Sequence, residues 1–131
     1  MSRRKSREQA FALLFEKSFN DQPVMDLAEG AQDAREFIIE PFALELATGA
    51  EEKLAEIDAR IDAFSHKWSR DRISRVSLAI LRLAVYEMQY DDDTPASIAI
   101  NEAVELAKKY GGDEDSSFIN GILGSISREP A

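Results

Sequence analysis

Arg3, Arg4, Lys5 and Arg7 put four cations into five positions, directly ahead of an apolar helical pattern. Guanidinium groups offer forked donors to phosphate oxygens and flat faces to unpaired bases, so a cluster of this kind at a helix start is suited to binding RNA. A second basic run, HKWSRDRISR, holds Lys67, Arg70, Arg72 and Arg75 against the single acid Asp71. Within it Trp68 has two readings, a platform for a base or an amphipathic lid over the core. Catalytic parts are scarce. His66 is the only histidine, and there is no cysteine, no glycine-rich phosphate loop and no His-x-x-x-His pair, so a triad or a zinc hydrolase lacks its components. Asp91 to Asp93 lacks the alternating ligands and turn glycine of a calcium loop. Asp113, Glu114 and Asp115 read as acids placed ahead of a helix, where the dipole favours them. The expectation is a binding protein with no enzyme activity, no metal and no cofactor.

The charge around these clusters sharpens the contrast. The chain has 131 residues and a net charge of −9, yet residues 1–20 carry five Lys/Arg against two Asp/Glu, a net +3 that leaves −12 for the remainder. An acidic surface repels nucleic acid, so a polyanion must be met by a local patch, while a basic protein could use the rest. With 44% apolar residues the chain can form one domain over residues 1–131 with its own core. Without cysteine, a signal-type segment or an apolar run near the roughly 18 residues of a membrane span, a cytoplasmic location is expected.

The elements that must position the clusters read as helices almost throughout. Ala10, Phe11, Leu14, Phe15 and Phe19 recur at helical spacing, giving an amphipathic first helix whose opening turn, with Arg4 and Arg7, is expected to be exposed. Asn20 to Pro23 stops it, and the stretch to about Arg35 reads as a short helix and a loop. From Pro41 to Phe64 the pattern predicts two helical segments with a break or kink at Gly49, giving a helical hairpin or a kinked helix. Residues 71–90 are apolar on more than one face, which predicts a central helix. Thr94 and Pro95 resemble an N-cap and first helical position for the next helix, whose polar flank holds Asn101, Glu102 and Glu105. Gly111 and Gly112 end it, and Asp115 or Ser116 is expected to cap the last helix. In that helix Asn120 and Gly121 are poor formers placed inside an apolar stripe; a core amide hydrogen bond and a close helix approach would account for them.

Taken in order, RRKSREQAFALLF, WSRDRISRVSLAILRLAVYEM, DDDTPASIAINEAVELAKKYG and SSFINGIL resemble the NusB family of bacterial transcription antitermination factors over nearly the whole chain apart from roughly residues 20–40. The resemblance implies an all-α, compact NusB-like fold of about six to seven helices in two small bundles. It implies binding to the boxA element of nascent ribosomal RNA, together with the ribosomal protein NusE, in a complex with other Nus factors and RNA polymerase. It assigns RNA binding to Arg3, Arg4, Lys5 and Arg7, with Arg70 and Arg72 as further candidates, and partner binding to Phe15. Ser117 stands where the family commonly carries a basic residue, which removes a charge from that loop. Four phosphate contacts to a single strand would give a logarithmic salt slope of about −3. Both monomers and homodimers fit the resemblance. The rival readings are a module that binds only protein, and a stand-alone relative of the helical domain of ribosomal RNA cytosine methyltransferases, whose cysteine nucleophile is missing here.

Overall fold

The computed structural model describes residues 2–35, 38–65 and 69–129; His66, Lys67 and Trp68 lie outside them. Seven α-helices follow one another: α1 (Arg3–Lys17), α2 (Val24–Arg35), α3 (Pro41–Glu52), α4 (Leu54–Phe64), α5 (Arg75–Tyr90), α6 (Ala96–Tyr110) and α7 (Asp113–Arg128), with a 3-10 turn at Arg70–Arg72 ahead of α5. Among the described residues there is no strand, and no helix is long and apolar enough to cross a membrane.

Helices α1, α2 and α3 pack on one another, and α5 packs on α1, α3, α4, α6 and α7. Its sequence explains that place: Ala79, Ile80, Leu81, Leu83, Ala84 and Val85 are all buried, so no polar stripe remains wide enough for a surface helix. The two small bundles therefore meet along α5. Helices α6 and α7 form a hairpin across Gly111 and Gly112, and burial of Ala103, Leu106, Ala107, Ile119, Ile122 and Leu123 joins that hairpin to the core.

Local chemistry sets the boundaries, and in three places differs from the sequence reading. The chain breaks at Lys53, not at Gly49. Gly49 lies inside α3 because the Tyr86 ring crosses it, and a Cβ there would sit 2.8 Å from the ring Cε1. Pro95 takes the cap position itself, while the Thr94 hydroxyl donates to Asp91 at 2.6 Å and closes the preceding turn. Asp115 lies one turn inside α7 and accepts from the Gly112 N–H at 2.9 Å, satisfying the helix start from within. It also accepts from the Ser77 hydroxyl at 2.8 Å, which ties the starts of α5 and α7 together. These donors, the Gly112 N–H first, hold the Asp115 carboxyl below the ordinary carboxylate range. Asn120 and Gly121 are both exposed, and nothing lies within 4 Å of the place of a Gly121 Cβ, so neither supplies a core contact.

Candidate nucleic-acid interface

The first basic cluster sits on the opening turn of α1. Ser2 caps that turn by accepting from the Lys5 N–H at 3.2 Å, and no acid occupies it. Arg3, Arg4 and Lys5 thus stand at the positive end of the helix dipole, where cations cost rather than add stability. Helix design alone does not explain them, and the same location strengthens attraction for an anion.

The four cations divide by helical phase. Arg3 is exposed and lies 4.0 Å over the Phe42 ring. Lys5 is exposed, with its ammonium 3.9 Å from Glu8. Arg4 is largely exposed, yet its Nε and Nη2 both lie 3.0 Å from Oε2 of Glu102 on α6. Arg7 points inward. Its side chain is 6% exposed, donates to Glu87 from Nε at 2.9 Å and from Nη2 at 2.9 Å, and places Nη1 3.5 Å from Glu102. The expectation that Arg7 stands on an exposed turn is therefore corrected. Arg7 shares a face with Ala10, Phe11 and Leu14, and that face packs against α5. Burial pushes the Glu87 carboxyl up, and the Arg7 guanidinium pulls against that shift.

Helix α6 supplies the other wall. Lys109 and the Tyr110 hydroxyl donate to Glu8, and the Lys109 ammonium holds that carboxyl below the ordinary carboxylate range. Glu102 is mostly buried, not part of a solvated flank, whereas Asn101 and Glu105 are exposed as expected. A cleft of about 270 Å³ runs between α1 and α6, lined by Arg4, Arg7, Glu8, Glu102 and Lys109. On the other flank of α6, Ser97, Asn101, Ser116, Ser117 and Asn120 line an open groove of about 510 Å³ towards α7. Its polar lining gives Asn120 a surface setting in place of the core role expected of it.

The second basic run serves a different purpose. Asp58 on α4 is buried and accepts from Arg70 Nη1 at 2.8 Å and from Arg82 Nε at 2.9 Å, while Arg70 Nε also reaches Asp62 at 2.9 Å. Arg70 thus ties the 3-10 turn to α4. Arg72 is exposed and has no ion pair among the described residues. Arg75 lies over the exposed Phe19 ring at 4.3 Å and donates to the Ser18 carbonyl.

Phe15 lies in an aromatic row along α1. Tyr110 meets Phe11 at 4.9 Å, Phe11 meets Phe15 at 5.8 Å, and Phe15 meets Phe19 edge-on at 5.0 Å. Phe11 is buried, Phe15 is half-buried, and Tyr110 and Phe19 are exposed, so the row is buried at its centre and open to solvent at both ends. Sequence reasoning missed Glu87, Glu102 and Lys109. A signal existed for Glu87, a carboxylate at helical spacing from Leu83 and Ala84 on a helix otherwise apolar at those positions. Among the described residues no group of three or more metal-ligating side chains converges.

A family model described as the NusB family matches residues 4–128. A transcription antitermination protein NusB from Acetivibrio thermocellus is 45% identical over 96% of this chain and 88% of the relative. One from Agathobacter rectalis is 42% identical over 97% of this chain and its own whole length. Among solved structures, T. maritima NusB superposes with a TM-score of 0.86 at 36% identity, covering 100% of this chain and 94% of that one. A chain from a crystal structure of the antitermination factors NusB and NusE with double-stranded RNA superposes with a TM-score of 0.86 at 25% identity, over 96% of each chain.

Proposed function

The chain belongs to the NusB family, and from that premise we propose that it is an RNA-binding transcription antitermination factor that acts with NusE on the boxA element of ribosomal RNA transcripts. The observation that carries this is the fold match, over nearly the full length, to a NusB solved with NusE and RNA, together with a first helix turn whose cations weaken the helix they begin.

In this reading Arg3, Arg4 and Lys5 meet phosphates, and Arg7 sets the position of the turn that carries them. Arg72 can add a peripheral contact, and Arg70 holds the loop that presents it. Three phosphate contacts in place of four reduce the expected salt slope on a single strand from about −3 to about −2, at about −0.7 per contact. Phosphate contacts position the strand, and base contacts carry sequence preference. Phe15 and the exposed Phe19 end of the aromatic row form the partner-facing side of α1. The acidic remainder of the surface complements a basic ribosomal protein, which speeds and orients association. Other Nus factors and RNA polymerase are reached through that heterodimer, and the activity is binding without catalysis.

The test is an anisotropy titration of labelled single-stranded boxA RNA, a scrambled strand and a boxA duplex, each with and without NusE. The single strand with NusE should bind tightest. Equal binding of all three in both conditions would leave the chain a protein-interaction module.

A further inference from the structure

We propose that Glu102 and Glu8 are internal stand-ins for RNA phosphate, each carboxylate occupying a cation of the α1–α6 cleft, Arg4 and Lys109 respectively, that a phosphate takes over on binding. This inference rests on the RNA-binding reading above and adds a discriminating role for two acidic residues.

Geometry supplies the first support. Arg4 turns its Nε–Nη2 edge onto Glu102, with both nitrogens 3.0 Å from the single oxygen Oε2, and that donor edge is the one a guanidinium offers to phosphate oxygens. The cleft beside this pair is open, so a ligand can reach the same donors. Relative exposure supplies the second. Arg4 and Lys109 are 61% and 58% exposed, whereas Glu102 and Glu8 are 15% and 14% exposed, so the cations can swing outward while the acids stay.

The acids are not stranded by that motion. Glu102 keeps Arg7 Nη1 at 3.5 Å, and Glu8 keeps the Tyr110 hydroxyl at 3.2 Å. Exchange therefore costs one exposed ion pair, and such pairs are weak. The buried Arg7–Glu87 pair beneath already fastens α1 to α5, so holding the helix does not need the outer pairs. A lone anion gains little by displacing one carboxylate, and the neighbouring acids repel it. A strand that presents several phosphates at once gains at each cation, so the guards suppress stray binding more than correct docking.

The experiment measures the affinity of a labelled single-stranded boxA RNA and a scrambled strand for the full chain and for Glu102→Gln, with Glu56→Gln on α4 as a control. Glu56 is exposed and has no ion pair among the described residues, so this control removes the same charge without releasing a cation. Glu102→Gln should tighten the scrambled strand about two- to fivefold at low salt and steepen the salt slope by about 0.7. In an Arg4→Ala background that gain should vanish. Unchanged or weaker binding in Glu102→Gln, an equal gain in Glu56→Gln, or a gain that persists without Arg4 would overturn the proposal. If Glu102→Gln unseats Arg7 and lowers Tm, Glu8→Gln, which frees Lys109 and Lys5, carries the same expectation and the same refutation. Failure of the unaltered chain to prefer boxA even with NusE would instead defeat the RNA-binding reading itself.

Discussion

The two basic runs are built from the same residue type and end in opposite arrangements. At the start of α1 one arginine is buried on Glu87 and three cations are exposed, with Arg4 at the edge of the α1–α6 cleft. Before α5 one buried aspartate, Asp58, gathers Arg70 and Arg82, while Arg72 and Arg75 have no ion pair among the described residues and Arg75 is spent on the Ser18 carbonyl and the Phe19 ring. In the first run a buried pair supports a cationic surface; in the second a buried acid consumes it. Local charge count therefore does not decide which run can meet a polyanion. Helical phase does, because it determines which cation turns inward and whether a buried carboxylate is waiting there.

The largest effect that would break this comparison lies at Arg7. Arg7→Ala leaves Glu87 buried without its partner, and the expected loss is about 3–5 kcal/mol of stability, read as a lower urea midpoint. A loss under about 1 kcal/mol accompanied by collapse of RNA affinity would return Arg7 to the outward set. Asp58→Ala should come next, with a loss of about 2–3 kcal/mol because Arg82 is left mostly buried and unpaired. Its RNA affinity should stay close to that of the unaltered chain, and a marked fall would show that the second run contributes more than Arg72 alone.

Arg3→Ala with Lys5→Ala should leave stability within about 0.5 kcal/mol, since both cations are exposed at the unfavourable end of the helix dipole. The salt slope should flatten by about 1.4 for the two lost contacts, and an unchanged slope would remove them from the RNA face. The smallest expected effect concerns Glu8. Its folded-state pKa is lowered, so its stabilising contribution is full above the ordinary carboxylate range and is lost as pH falls through the folded value. The urea midpoints of the unaltered chain and Glu8→Gln should therefore differ near neutral pH and converge as pH falls below the ordinary carboxylate range. A constant gap would show that Glu8 acts by packing alone.

How much of this was legible depended on whether the signal was periodic. The apolar patterns of α5, α6 and α7, with their glycine and proline punctuation, were readable because burial on a helix repeats. The break assigned to Gly49 was not, because a glycine inside a helix looks like a terminator until the Tyr86 ring is known to lie against it. Asn120 and Gly121 were read as core through their neighbours, although Ile119, Ile122, Leu123 and Ile126 leave them on the opposite face. Arg7 was grouped with Arg3 to Lys5 because the run was contiguous, yet its spacing to Ala10, Phe11 and Leu14 already placed it inside. Glu102 and Lys109 were beyond reach, since their roles depend on the long-range docking of α1 against α6.

That docking has a consequence for the order of assembly during synthesis. Arg7, Arg4 and Glu8 find their partners 80, 98 and 101 residues later in the chain. The α6–α7 hairpin closes over a very short loop and α1 packs on the nearby α2 and α3, but the ionic partners of α1 lie across most of the sequence, and contacts of that separation form late. A nascent chain halted before α6 would hold the cations of α1 without their opposing wall and without Glu102, and its Glu8 would lack Lys109. The ion-paired arrangement of α1 against α6 is therefore a late product of translation, and the nucleic-acid face proposed for it is complete only once the chain has emerged through α6.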